Sequence, residues 1–156
     1  MTSLKEQMQS DLTSAMKSED ELTKATLRMA LAAVTNAEVS GKQARQLSDD
    51  EVVSVLAGEA KKRREAAQSY DDAGAPERAA RERAELGVLE RYLPQQLTDA
   101  ELDALVNDAV RQAAESGQTG PAAMGAVMKI MQPLTRGRAD GAAVAARVRA
   151  ALGSSA

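Results

Sequence analysis

An all-α fold in two helical parts is the structure that this sequence predicts, and three observations lead to it. Apolar residues recur every three or four positions along most of the chain, which is typical of amphipathic helices. Alanine, leucine, valine and methionine supply the apolar surface, whereas aromatic residues make up only 1% of the chain. Ser48 and Thr98 are each followed three positions later by glutamate and then by an apolar periodic stretch, a pattern that starts helices. At 156 residues the chain suffices for one domain or two small ones.

Four helices are expected in the N-terminal part, ahead of a hinge at residues 93–97. Pro94 ends the fourth helix, because the residue before a proline disfavours the helical conformation. Gly41 is expected to follow the second helix in the left-handed conformation. Ser48 and Glu51 predict a capping box at the start of the third helix. The predicted ranges are residues 3–19, 21–40, 48–70 and 77–92.

Three of these helices also carry expectations about burial. The first helix has Met16 on its apolar face, and the second has apolar residues, among them Leu27 and Met29, on two sides. We therefore expect the second helix to be buried on both sides. On the third helix Glu59 lies four residues before Arg63, which is the favourable order for an ion pair. Because both share a face with apolar residues, the pair is predicted to be partly buried and structural.

Three further helices are expected in the C-terminal part, so the predicted domains are residues 1–94 and 95–156. A three-helix module of this size can fold independently, although the area that it buries is small. Local signals define its helices. They are Thr98 with Glu101 at the start of the fifth helix, Gly117 at its end, Pro121 at the start of the sixth, Pro133 and Gly137 in the turn that follows, and Asp140 before the seventh.

The absence of certain residue types narrows the chemistry. The chain has no histidine and no cysteine, which removes the usual general base, the thiol nucleophile, disulfides and the commonest zinc ligands. No glycine-rich phosphate loop or EF-hand loop occurs. No apolar run approaches the length of a membrane helix, and the N-terminal stretch MTSLKEQMQSDL lacks the apolar core of a signal peptide. We therefore expect a cytoplasmic protein that is not an enzyme on its own and that uses no metal, cofactor or membrane.

Charge is distributed unevenly along the chain. Residues 119–156 carry five basic residues against one acidic residue, whereas residues 1–118 carry 15 against 22. A positive end on an acidic protein indicates a surface for a polyanion, and the alternative is a solvated helix face. Arginines around a turn, close to a helix N-terminus, suit phosphate groups. The candidate nucleic-acid-binding residues are Lys129, Arg136, Gly137, Arg138, Arg147 and Arg149.

Five segments of the chain form a recognisable set. They are LRM at residues 27–29, LSDDEVVSVLAGEAKKRREAAQSY at 47–70, VLERYLPQQL at 88–97, MGAVM at 124–128 and GRADG at 137–141. These segments resemble the GatB/YqeY family, and in particular its stand-alone YqeY-like members. The match runs nearly end to end and keeps the order of the segments.

The resemblance implies an N-terminal helical bundle, a C-terminal three-helix module and a link to tRNA. The family shares its helical architecture with the tail of GatB. GatB is a subunit of the glutamine-dependent aminoacyl-tRNA amidotransferase, a carbon-nitrogen ligase with glutamine as amido-N-donor, and its tail contacts tRNA without being catalytic. At three places where members commonly carry lysine or another polar residue, this chain has Ala126, Leu134 and Ala142. The resemblance therefore implies weak tRNA binding.

Three functions remain open at this point. The first is a non-catalytic accessory module that binds tRNA, and the second is an adaptor that joins a protein partner in tRNA-dependent amidation or another RNA-handling complex. The third is an enzyme with a carboxylate site, since carboxylates, lysines and hydroxyls are the catalytic groups that the composition leaves. Aromatic residues are nearly absent, so RNA contacts are expected at the backbone rather than by base stacking.

Overall fold

The computed structural model describes residues 2–153, which form helices joined by turns and loops and contain no strand. The predicted all-α class is therefore confirmed. The chain divides into two compact units, Met1–Pro94 and Gln95–Ala156. Within residues 2–153, none of the helices combines the length and the apolarity that crossing a membrane requires.

The N-terminal unit contains four helices around one apolar core. They are α1 (Leu4–Lys17), α2 (Glu21–Val39), α3 (Asp49–Asp72) and α4 (Pro76–Glu90). Each of the four contributes buried side chains, and the closest-packed pair is the hairpin of α3 and α4. The buried residues of this core are Met8, Leu27, Ala30, Val34, Val52, Leu56, Ala60, Val88 and Leu89.

Side-chain caps define several of the helix starts in this unit. Ser3 accepts a hydrogen bond from the backbone N–H of Glu6 at the start of α1. Asp20 caps α2 by accepting from both the backbone N–H and the hydroxyl of Thr23, at 3.1 and 2.8 Å. The capping box predicted before α3 is present in full. These caps satisfy donors that a helix start would otherwise leave without partners.

Three expectations for this unit were wrong. Gly41 does not adopt a positive φ, although α2 ends at Val39 and Gly41 directly follows its C-cap residue, Ser40. The second side of α2 is not fully covered, since Met29 is 50% exposed. Met16 on α1 is exposed to the same extent. Two buried threonines, Thr23 and Thr26, take much of the inner surface of α2, which its apolar periodicity does not reveal.

The C-terminal unit contains three longer helices and one short helical turn. They are α5 (Asp99–Glu115), a 3-10 helix (Pro121–Ala123), α6 (Met124–Thr135) and α7 (Gly141–Gly153). Thr98 and Glu101 form the predicted capping box before α5. Contrary to the prediction, Pro133 lies inside α6. Pro133 has no N–H to donate to the carbonyl of Lys129 four residues earlier, so α6 lacks one of its hydrogen bonds there. The buried core is Leu102, Val106, Ala109, Ala113, Ala123, Val127, Met131, Val144, Val148 and Leu152.

The segment predicted as a hinge is shorter than expected. Helix α4 ends at Glu90, and a turn leads to Pro94. Residues 95–97 are instead bound to the turn after α6. The backbone N–H of Leu97 donates to the carbonyl of Arg138 at 2.8 Å, and the side-chain amide of Gln96 donates to the carbonyl of Gly137 at 2.7 Å. We call this set of contacts between residues 95–97 and residues 137–138 the latch.

Candidate nucleic-acid interface

Lys129 and Arg136 lie on the outer side of α6. Val127, Met131 and Thr135 are buried at four-residue spacing, so Lys129 points away from the core and is exposed. It makes no ion pair with any residue that the structure describes. Arg136 follows the last turn of α6 and is also exposed. Seven residues are about two helical turns, so the two Cα atoms lie on one side of α6, roughly 10 Å apart along its axis.

Gly137 and Arg138 serve mainly the packing of the turn itself. Gly137 is buried and has a φ of 71°, a conformation that residues with a side chain rarely adopt. The backbone N–H of Arg138 donates to the carbonyl of Thr135, and its Nε donates to the carbonyl of Gln95 at 2.9 Å. The turn that was predicted to bind phosphate thus contains residues 137–138, which contact residues 95–97 in the latch. Arg138 is half-buried, and one of its guanidinium donors is already hydrogen-bonded to the protein.

Arg147 is paired with acidic residues of α5. Its Nη2 lies 2.8 Å from a carboxylate oxygen of Asp99, and its Nη1 lies 2.5 Å from one of Asp103. Asp99 and Asp103 are four residues apart, so both face the same strip of α7. A guanidinium that is held between two carboxylates is largely neutralised. Arg147 is therefore the candidate that the structure makes least available to a phosphate group.

Arg149 lies on another side of α7 from Arg147. It is exposed and makes no ion pair within residues 2–153. Together with Pro121, Met124, Leu152 and Gly153 it lines a groove of about 300 Å³. The six candidates therefore do not form one patch. Arg147 faces α5, Arg149 borders this groove, and Lys129 and Arg136 lie on and just after α6.

The acidic residues of α5 are the part of this surface that sequence reasoning missed. Counted over residues 95–156, the unit has six basic and six acidic residues. The positive stretch at residues 119–156 is balanced by α5, which precedes it in the sequence and packs against it. The four-residue spacing of Asp99 and Asp103 was the sequence signal that could have indicated a shared cationic partner on a neighbouring helix. Hydrogen bonds from the side chain and backbone of Thr98 lower the pKa of Glu101, a third acid of this helix, and the charge of Arg138 adds to the effect.

Leu134 adds an apolar element to the same end of α6. Its side chain is 41% exposed, beside the exposed Pro133 and close in sequence to Arg136. An isolated exposed leucine is common on protein surfaces. Its position next to Arg136 nevertheless gives this end of the helix a mixed apolar and cationic character.

The N-terminal unit has a larger groove, along α1. Its volume is about 900 Å³, and it runs between α1 and residues 91–94. Within it the Tyr92 hydroxyl donates to the Asp11 carboxylate at 2.6 Å. Burial and the neighbouring Asp11 raise the pKa of the Tyr92 phenol. A phenol with a raised pKa stays protonated at neutral pH, so this contact is a stable hydrogen bond between an uncharged donor and a carboxylate.

Across residues 2–153, acidic residues nowhere gather in a group of three or more that could hold a metal ion. Asp20, which lines the groove along α1, uses both carboxylate oxygens on Thr23, and these hydrogen bonds lower its pKa.

Comparison with known proteins gives one family. The family model described as Yqey-like protein matches residues 5–152, which is almost the whole chain. None of the curated proteins matches the sequence.

Proposed function

The chain belongs to the YqeY-like family, and on that premise we propose that it is a non-catalytic accessory module that binds tRNA weakly through its C-terminal unit. The observation that carries the proposal is the pair of exposed cations on α6, Lys129 and Arg136. Arg149 is a third exposed cation of the same unit. Contacts between such side chains and phosphate groups give affinity without sequence preference.

The charge balance of the unit limits the affinity. Arg147 is held by Asp99 and Asp103, and Arg138 donates to the carbonyl of Gln95. The unit therefore offers few cations to phosphate groups, whereas tight nucleic-acid binders use many more. Both tyrosines, Tyr70 and Tyr92, precede residue 95, so the unit has no aromatic ring on which a base could stack. Recognition would follow the shape and phosphates of a folded RNA.

The resemblance to the tail of GatB suggests where such a module would act. That tail contacts tRNA within a glutamine-dependent aminoacyl-tRNA amidotransferase and is not its catalytic part. We propose a similar accessory role here, in or beside tRNA-dependent amidation. The chain has neither histidine nor cysteine, so the groups that most often act as general base or thiol nucleophile would have to come from a partner.

Salt-dependent binding of bulk tRNA tests the proposal. With two phosphate contacts, the slope of log affinity against log salt between about 50 mM and 200 mM is roughly −2. The double variant Lys129→Glu and Arg136→Glu should bring the slope close to zero. The matched control is Arg111→Glu, which reverses an exposed arginine of α5 that pairs with Asp108 in the same unit. This control should leave the slope unchanged.

Two results would count against the proposal. If Arg111→Glu reduces the slope in proportion to its charge change, by about half as much as the double variant does, binding is a general charge effect and α6 is not the interface. If the wild-type protein binds no tRNA even at about 50 mM salt, the tRNA function itself is wrong. Arg138 is left intact in the test, because its hydrogen bond to Gln95 would mix binding with folding.

A protein adaptor is the second candidate function, and Leu134 favours it. A 41% exposed leucine beside Arg136 is better suited to the apolar centre of a protein interface than to a phosphate backbone. Replacing Leu134 with Lys should weaken a protein complex and strengthen tRNA binding. An increase in tRNA affinity therefore supports the first function, whereas loss of a purified amidotransferase partner from the complex supports the adaptor.

A further inference from the structure

Met29 places a half-exposed thioether against a buried guanidinium. Its sulfur lies 3.9 Å from Nη2 of Arg63, and it is the partner of that nitrogen among the described residues. Met29 is 50% exposed, whereas Arg63 is only 5% exposed. We propose that Met29 is an oxidation site at which conversion of the thioether to the sulfoxide strengthens the packing of α2 on α3.

The other contacts of Arg63 leave its guanidinium incompletely satisfied. Nη1 donates to the carbonyl of Glu59 at 3.0 Å and lies 3.9 Å from the carboxylate of the same residue. Nε lies 3.5 Å from the Glu85 carboxylate on α4 but makes no hydrogen bond. Within residues 2–153, the acceptor of Nη2 is the Met29 sulfur, and a thioether is a weak acceptor. The charge of the buried guanidinium is therefore balanced by the carboxylates of Glu59 and Glu85, but its Nη2 lacks a strong hydrogen-bond acceptor.

The chemistry of the site needs a hydroperoxide, and hydrogen peroxide is the simplest one. A lone pair of the Met29 sulfur attacks the nearer peroxide oxygen, the O–O bond breaks, and the departing oxygen leaves as water after proton transfer. The sulfur is oxidised by two electrons and the peroxide is reduced by two. Half exposure of the side chain gives the oxidant access from solvent.

Oxidation of Met29 should stabilise the fold, whereas methionine oxidation usually destabilises one. A sulfoxide normally disrupts packing because it turns an apolar side chain into a polar one. Here the new oxygen is a strong acceptor that extends from the sulfur and can reach Nη2 at an ordinary hydrogen-bond distance. A hydrogen bond from a charged, desolvated donor is stronger than one between neutral groups. Oxidation would therefore supply the acceptor that Arg63 lacks.

Met16 provides a matched control in the same unit. It has the same exposure of 50%, lies on α1, and its sulfur makes no hydrogen bond to the residues that the structure describes. Met8 is fully buried and is protected from the oxidant. The variants Met16→Leu and Met29→Leu each leave one of the two exposed methionines of α1 and α2 in place, at nearly unchanged side-chain volume.

Limited peroxide oxidation of these two variants tests the proposal, with peptide mass spectrometry to identify the oxidised residue. Oxidation of Met29 in the Met16→Leu protein should raise the melting temperature of the N-terminal unit by about 4–8 °C, the shift that one favourable hydrogen bond gives in a unit of this size. Reduction by methionine sulfoxide reductase should reverse the rise. Oxidation of Met16 in the Met29→Leu protein should give no rise. In nitrogen-15 NMR spectra, the side-chain N–H signals of Arg63 should move only when Met29 is oxidised.

Glutamine imitates the sulfoxide without an oxidant, because its amide oxygen occupies a similar position along the side chain. The Met29→Gln protein should melt higher than the Met29→Leu protein by a similar amount, whereas Met16→Gln and Met16→Leu should not differ in this direction. A fall or no change in the melting temperature on oxidation of Met29 would overturn the proposal. Equal shifts of the Arg63 signals on oxidation of either methionine would overturn it as well.

Discussion

Glu51 links a helix start to a loop through one carboxylate. It accepts hydrogen bonds from Arg45 Nη1 and Nη2 at 3.1 and 2.6 Å, and its Oε1 also accepts from the backbone N–H and hydroxyl of Ser48. These contacts favour the ionised form, and the Arg45 guanidinium makes the largest contribution. They lower the pKa of Glu51 from 4.5 to about 2. The carboxylate therefore stabilises the folded state only while it is charged.

The stabilisation from Glu51 should depend on pH in a defined direction. Because the folded pKa is depressed, the contribution is complete above pH 4.5 and is lost as the pH falls toward 2. Glu51→Gln keeps a residue type that suits the capping box but removes the charge. Urea unfolding should show wild type more stable than Glu51→Gln at pH 6, and the difference should vanish near the folded pKa of about 2.

The control for this experiment is Glu65→Gln, which removes an exposed charge from the same helix outside the capping box. It should not reproduce the pH-dependent loss. A difference between wild type and Glu51→Gln that stays constant from pH 6 to pH 2 would show that the charge of Glu51 does not provide the stability.

Helices and turns use glycine in two different ways. Gly58 lies inside α3 in an ordinary helical conformation, and a Cβ atom added there would meet nothing within 4 Å. Gly137 lies in the turn after α6, is buried and has a φ of 71°. The first glycine is a helix position with poor propensity, whereas the second is required by the backbone of the latch.

Alanine substitution should therefore have opposite effects at these two glycines. Gly58→Ala should stabilise the protein by about 0.5–1 kcal/mol, because it removes backbone freedom from the unfolded chain. Gly137→Ala should destabilise it by about 1–2 kcal/mol, because an L-residue is strained at that φ. Chemical denaturation of both variants measures the two changes. Equal signs for the two substitutions would contradict this interpretation.

At the level of elements, local signals were predictable and long-range ones were not. The capping boxes at Ser48 and Thr98 were predictable because each lies within four consecutive residues. The structural role of Arg63 was also predicted from spacing, and its 5% exposure confirms that it is buried. Its second carboxylate partner, Glu85, was missed because it comes from α4. The end of α2 was predicted to within one residue, but the left-handed conformation expected of Gly41 was wrong.

At the level of the whole molecule, the charge of a sequence segment did not predict the charge of a folded surface. The basic end of the chain was correctly identified, and Lys129, Arg136 and Arg149 are exposed. Arg147 pairs with Asp99 and Asp103 on a helix more than 40 residues earlier. No local pattern in residues 119–156 reveals these partners. The exposure of Lys129, Arg136 and Arg149 is thus visible only in the fold, and their role as an interface stays a prediction.

The C-terminal unit should fold without the N-terminal one. Its buried core contains residues from Leu102 to Leu152 only, and the latch joins residues of the same unit. An N-acetylated fragment of residues 95–156 should therefore give a helical circular dichroism spectrum and a cooperative melt. An N-acetylated fragment of residues 98–156 keeps the Thr98 cap but loses the latch. It should be less stable by about 1–3 kcal/mol, from lost hydrogen bonds and burial of Leu97.

Two results would contradict this account of the C-terminal unit. An unfolded 95–156 fragment would show that its core is insufficient alone. Equal melting of the two fragments would show that the latch contributes nothing to stability. Acetylation of both fragments removes the terminal charge, which would otherwise oppose the start of α5 in the shorter one.

During protein synthesis, the two sides of the latch are translated at different times. Gln96 is made 41 residues before its partner Gly137. At about 5–20 residues per second, translation covers that distance in roughly 2–8 s. The last buried core residue of the N-terminal unit is Leu89, so all of this core is translated before residues 137–138 of the latch are made. A nascent chain therefore finishes the first unit early and holds residues 95–97 unpaired until the turn after α6 has been translated. Slow translation of α6 would lengthen that interval without changing the final fold.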